Sequence, residues 1–406
     1  MWNRSRTMIG RGCAVLLVLA TFGCAGEIAG LRGLGGDGKA RLVWDGAANA
    51  DGYAVLRSDT SGGPYKAVAT GLQTGEYADE SLTNGRRYYY VISASDGKVT
   101  SSEVSVATCA PPEKGREWDD TITTLVKDSK GKDQEAYWSL WIPKTARKLR
   151  GIIAISQHGA GNQFSRCPEL RCLAGDLDCA VVALRGAVQR GVPDSKMLLD
   201  ILKQFAEQSG HPELAVAPMI LFGHSNGTGF SAGFAAAEPD RIISWIAFKS
   251  ANGRQFSRPE IYGIPGLVIS GETDKGYFTN QLTTVEQLRR ENSALMHMIV
   301  EPKAGHEDNS TKTFSIILAF MKETFLLSVP ADADLSAGPA KLIRPKEKDG
   351  WLGQNWDRSV GGYQLLPIGP YSRFKGNKRQ ASWLPSESYA RKWQEFIQTG
   401  SVKYWW

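Results

Sequence analysis

The stretch Gly223-His224-Ser225-Asn226-Gly227 constrains this chain more than any other. It follows the apolar run Ala217 to Phe222 and precedes the small-residue run Thr228 to Gly233, so a buried strand is expected to turn sharply into a closely packed helix. The central serine of such an elbow sits in strained backbone, and strand and helix can approach only where the flanking positions are small, as Gly223 and Gly227 are. Ser225 Oγ is therefore expected to stand exposed above a sheet.

The chain around that elbow has 406 residues and 42% hydrophobic content, enough for a full-sized core and for two domains or one domain with appendages. Its 48 basic and 42 acidic residues are interspersed, and the net charge of +6 comes without a Lys/Arg cluster, which argues against a nucleic-acid partner. At the N-terminus, Arg4, Arg6 and Arg11 precede a short apolar core from Cys13 to Ala20 and then small residues, the pattern of a secretory signal over residues 1–25. The run Ala20 to Gly26 resembles a bacterial lipobox, which makes Cys24 a candidate for lipidation and membrane attachment, with simple secretion as the alternative. A retained membrane helix fits less well, because the run falls short of about 20 residues. Export makes disulfides plausible among Cys109, Cys167, Cys172 and Cys179, whose three pairings the sequence does not rank. No C-x-x-C pair or nearby histidine suggests zinc, and no metal or organic cofactor is expected.

Residues 26–38 are glycine-rich and read as a flexible tether. From Lys39, short alternating segments separated by turn residues predict a small β-sandwich of about seven strands. Trp44, Tyr53, Leu82 and Tyr88, with Leu82-Thr83-Asn84-Gly85 ahead of a tyrosine-rich strand, resemble the core marks of a fibronectin type III module spanning 39–110. That resemblance implies a spacer or a module that helps to hold a polymeric substrate.

Between about 117 and 328, apolar strands alternate with helical patterns: Gly151 to Ser156, Ala180 to Leu184, a helix over Asp194 to Gln208, Ile242 to Phe248, Gly266 to Ser270, a helix around Leu282 to Asn292, and Met296 to Val300. This is the pattern of an α/β protein with a mostly parallel, doubly covered sheet. A serine alcohol is a poor nucleophile and needs an adjacent base, which a third group must orient. In an α/β-hydrolase the order is serine, acid, histidine, the last two on loops after later strands. Asp274 follows the strand ending at Ser270, with Glu272 as its rival; His306 follows the strand ending at Val300. His297 lies inside an apolar strand and reads as a packed residue, while His224 adjoins Ser225 too closely for an in-line hydrogen bond. The oxyanion needs two donors. One is expected at Asn226 N–H and the other in His158-Gly159-Ala160-Gly161, from Ala160 first and Gly159 second, with His158 bracing the loop.

On these motifs, residues 117–328 resemble the α/β-hydrolase superfamily, and within it the secreted esterases related to polyhydroxybutyrate depolymerases, feruloyl esterases and acetyl xylan esterases. The resemblance implies an exported serine carboxylic-ester hydrolase, extracellular or lipid-anchored in the cell envelope, acting on a small or polymer-linked acyl ester. A serine peptidase or amidase on the same scaffold is the first alternative, and a non-catalytic glycan-binding surface protein the second. Residues 329–406 are a polar linker followed by a segment holding six of the 12 tryptophans. There a helix starting near Pro385-Ser386-Glu387 is expected to place Tyr389, Trp393 and Phe396 on one face, docked on the hydrolase or offered to sugar rings or aromatic acyl groups.

Overall fold

The structure is a computed structural model that describes residues 28–46, 50–94, 97, 99–128, 130–186, 195–250, 256–274, 278–308 and 311–406. The signal segment and Cys24 lie outside the described residues.

Seven strands come first: β1 (Arg32–Gly36), β2 (Lys39–Val43), β3 (Tyr53–Ser58), β4 (Lys66–Leu72), β5 (Glu76–Asp79), β6 (Arg87–Ala94) and β7 (Val104–Ala107). They form two sheets, β1-β2-β5 and β4-β3-β6-β7, packed over Trp44, Tyr53, Val55, Tyr90 and Ile92. This is a small all-β sandwich of fibronectin type III type. The expected tether is a correction: Arg32 to Gly36 form β1, paired antiparallel with β2, and Ile28 is buried in the sandwich core. The glycines there permit close approach rather than flexibility. A Cβ on Gly35 would lie 1.7 Å from Ala107 O, and one on Gly33 would lie 2.5 Å from Val106 Cγ2.

The second unit contains β8 (Asp120–Lys127), β9 (Asp133–Trp141), β10 (Gly151–Ser156), α1 (Ala160–Phe164), α2 (Pro168–Asp176), β11 (Cys179–Gly186), α3 (Ser195–Ser209) and β12 (Met219–His224). After these come α4 (Thr228–Ala237), β13 (Ile242–Phe248), β14 (Gly266–Gly271), α5 (Phe278–Asn292), β15 (Met296–Glu301) and α6 (Thr311–Ser328). The sheet runs β8-β9-β11-β10-β12-β13-β14-β15, with β9 antiparallel to both neighbours and every pair from β11 to β15 parallel. Strands β10, β12, β13, β14 and β15 are buried at every residue, which explains their largely apolar runs: helices cover both faces of a parallel sheet. Each fully buried Leu, Ile, Val or Phe there contributes about 1.5–3 kcal/mol. With the elbow between β12 and α4, this is the α/β-hydrolase arrangement, preceded by the β-sandwich.

The sandwich is fixed against that unit rather than held off it. Arg87 donates to Asp178 (2.9 Å) and to Gly175 O (2.7 Å) at the end of α2, and Ala107 N–H donates to Asp176 (2.8 Å). The disulfides expected among the cysteines are absent: Cys109, Cys167, Cys172 and Cys179 are all free. Cys167 Sγ donates to Glu169 (2.9 Å), and Cys179 is enclosed in β11 with Leu177 O as its acceptor (3.6 Å).

The C-terminal segment adds β16 (Trp351–Gly353), β17 (Ile368–Pro370), β18 (Ser382–Leu384) and α7 (Glu387–Thr399). Ser386 Oγ caps α7 by accepting from Tyr389 N–H (3.0 Å), and Tyr389, Trp393 and Phe396 are buried against the hydrolase unit. The preceding stretch is pinned rather than loose, with Leu335 and Leu342 buried and Arg344 donating to Ile242 O (2.6 Å) and Pro239 O (2.5 Å).

Candidate active site

The elbow forms as steric packing requires. Ser225 adopts φ +51°, in the left-handed region that a non-glycine residue occupies only at a cost of order 1–3 kcal/mol. A Cβ on Gly223 would lie 2.0 Å from Gly227 O, so no larger residue fits where strand passes helix. Thr228 Oγ1 donates back to Ser225 O (2.6 Å), closing the turn.

Two side chains, His306 and Asp274, reach the elbow serine from loops that are distant in sequence. Ser225 Oγ lies 2.8 Å from His306 Nε2, and His306 Nδ1 lies 2.9 Å from Asp274 Oδ2. The loops after β14 and β15 are themselves joined. Thr273 N–H donates to Ala304 O (2.9 Å), and a Cβ on Gly271 would fall 2.4 Å from that same oxygen. Asp274 is only 3% exposed, with His306 Nδ1 within hydrogen-bond distance. A buried carboxylate accepting from Nδ1–H fixes the tautomer in which Nε2 is free to take the serine proton.

The rival residues are engaged elsewhere. Glu272 accepts from Lys303 N–H (2.8 Å) and from Gly362 N–H (3.0 Å), tying the acid loop to the C-terminal segment. His297 lies 2.7 Å from Tyr389 Oη inside the core, and burial pushes its pKa down to about 3.

One expectation about the oxyanion donors is corrected. Ala160 N–H does not face the serine freely; it donates to His224 Nδ1 (3.1 Å). His224 is buried, and burial first, then His306, His158 and Lys249, push its pKa down to about 3, so its ring is neutral and able to accept. It stacks on His158 with ring centroids 6.2 Å apart, so His158 supports the loop through this ring. Gly159, at φ +53°, is exposed, and Asn226 stands at the head of the helical turn, where first-turn N–H groups have no intrahelical partner. The role of His224 was hidden because its bond to Ala160 spans 64 residues.

A cavity of about 1190 Å³ begins at Gly159 and Ala160 and runs between α1, α6, the β1–β2 hairpin of the sandwich and the terminal Trp405-Trp406 pair. Its walls mix Leu34, Phe314 and Leu318 with Lys39, Arg166 and Lys403. Among the described residues, no group of three or more His, Cys, Asp or Glu side chains is placed to hold a metal ion.

No protein-family model matches the chain. A stretch of 91 residues, 22% of the chain, is 36% identical to an amylopullulanase of Thermoanaerobacterium saccharolyticum but spans only 7% of that protein. An Fn3-like protein from Clostridium thermocellum is 35% identical, over 21% of this chain and 95% of that one, at a TM-score of 0.19. The siderophore hydrolase EstB from Aspergillus nidulans is 16% identical, over 51% of this chain and 94% of that one, at a TM-score of 0.35.

Proposed function

We propose that this chain is a serine carboxylic-ester hydrolase. The observation that carries the reading is the continuous line from Ser225 Oγ through His306 to buried Asp274, at 2.8 and 2.9 Å, on an elbow that holds the serine at φ +51°. Ser225 Oγ attacks the ester carbonyl carbon while His306 Nε2 takes its proton, and Asp274 stabilises the imidazolium that forms. The carbonyl oxygen, now an oxyanion, accepts from Asn226 N–H and Gly159 N–H. Collapse expels the alcohol, which takes the proton from His306, and leaves an acyl group on Ser225. A water molecule, deprotonated by His306, then releases the carboxylic acid and restores the serine. None of these steps draws on a cofactor.

The substrate in this reading is a small or polymer-linked acyl ester, polyester, feruloyl or acetyl polysaccharide; it rests on the resemblance of the Ser225, Asp274 and His306 motifs to secreted esterases, since none of the three lines the cavity beside Gly159. Export belongs to the same reading, on the strength of Arg4, Arg6 and Arg11 ahead of the short apolar core, with Cys24 as the lipid-bearing residue or lost with the signal.

The test is a substrate panel for the purified protein: p-nitrophenyl acyl esters, methyl ferulate, acetylated xylan, polyhydroxybutyrate and peptide nitroanilides. The reading expects the esters to be hydrolysed faster. Faster cleavage of nitroanilides makes the protein an amidase, and no turnover accompanied by binding to insoluble polysaccharide makes it a glycan-binding protein.

A further inference from the structure

Lys249 is the first residue after β13, and it is 0% exposed. Its backbone stands at φ +47°, its N–H donates to Ile269 O (2.6 Å), and its side chain is buried. Nζ lies 2.9 Å from Glu301 Oε2, donates to Gly305 O at 2.8 Å, and donates to Asp308 O. An ammonium carries three N–H donors; here two carbonyl oxygens accept from it and the Glu301 carboxylate balances its charge. The two backbone carbonyls bracket His306, one residue before it and two residues after it. The loop is also closed on itself, with Gly305 N–H donating to Asp308 Oδ2 (2.6 Å), while Glu301 is held from the other side by Thr313 of α6.

A buried ion pair is a poor way to gain stability, since apolar residues of similar shape serve as well or better. What this pair does that an apolar pair cannot is grip the two carbonyls flanking His306. We propose that Lys249 is a positioning residue, an internal strap that holds His306 in line between Ser225 Oγ and Asp274. The inference rests on the esterase reading of those three residues, and a misplacement of about 1 Å at such a site costs on the order of 10²-fold in rate.

The test compares the purified full chain with Lys249→Met/Glu301→Gln, which removes both charges together and leaves no orphaned buried carboxylate. The strap predicts cooperative melting, KM within about twofold of the parent and kcat down by about tenfold or more. A second readout does not need turnover: the downfield proton resonance of the His306 Nδ1–H to Asp274 bond, assigned by its loss in His306→Asn, is expected to shift or broaden in the double variant. A folded double variant with kcat within about twofold of the parent and the resonance unchanged overturns the proposal. If the parent hydrolyses nothing but the double variant still disturbs the resonance, the strap stands and the esterase reading falls. If the double variant does not fold, Glu301→Gln alone, which loosens the ammonium but keeps the shape, is read the same way. A shifted resonance with kcat down about threefold supports the strap, and no change in either overturns it.

Discussion

Replacing Gly159 by alanine perturbs the loop beside the elbow at a single atom. The added Cβ would lie 1.8 Å from His224 Nδ1 and 2.5 Å from its Cε1. The ring cannot retreat, because it is buried between His158 and Phe248, with centroids 6.2 and 5.3 Å away. The backbone therefore has to move, and the Ala160–His224 bond goes with it. Holding alanine at φ +53° costs of order 1–3 kcal/mol, and losing a buried hydrogen bond adds about 1. The sum, about 2–4 kcal/mol, corresponds to a Tm lower by roughly 5–15 °C. If Gly159 N–H is an oxyanion donor, kcat falls further, by about 10²–10³-fold, when assayed well below both melting transitions. Gly131→Ala is the control. It sits at φ +77° in the β8–β9 turn with nothing within 4 Å of its added Cβ, so it carries the backbone strain without touching the site. The reasoning is refuted if folded Gly159→Ala keeps kcat within about threefold of the Gly131→Ala control.

His297 is neutral in the fold, with a pKa pushed by burial to about 3, whereas in the unfolded chain it protonates below about 6.5. Only the unfolded state gains a proton across that window, so this residue's contribution to stability is lost as pH falls from about 6.5 toward 3, at up to about 1.4 kcal/mol per pH unit. His297→Gln is therefore less stable than the parent at pH 8, and the gap in urea-unfolding free energy narrows by that slope on acidification; a gap independent of pH shows that His297 is charged in the fold. Arg87→Ala removes the ion pair to Asp178 and the bond to Gly175 O that dock the sandwich, groups 18% and 29% exposed in their side chains. The expected loss is about 1–2 kcal/mol by thermal or urea unfolding, and an unchanged transition means that the sandwich is held by other contacts.

The parts of this architecture written in local sterics were legible in the sequence. Gly223 beside Ser225 announces an elbow because no Cβ fits there, and the largely apolar runs of β10 and β12 to β15 announce strands covered on both faces. Asp274 and His306 could be placed because both loops follow strands that read clearly. What escaped depends on partners far away in the chain. Glycine signals flexibility and close approach alike, so Gly33 and Gly35 looked like a tether until β7 was seen lying against them. Ala160 N–H was assigned to the oxyanion because nothing local reveals that His224 takes it. Nothing local marks the inward turn of Lys249, which follows from carbonyls that only the loop after β15 brings near. The burial of Trp383 likewise follows from topology, which no window of sequence contains, whereas the docked face of Tyr389, Trp393 and Phe396 was legible from helical spacing.

Hydrolysis of a short-chain p-nitrophenyl ester by the purified chain and by Ser225→Ala, each shown to melt alike, tests the central claim most directly. The account predicts turnover by the parent and a loss of about 10³-fold or more in the variant. Equal rates for the two, or a parent as inert as the variant on every ester of the panel, contradict it.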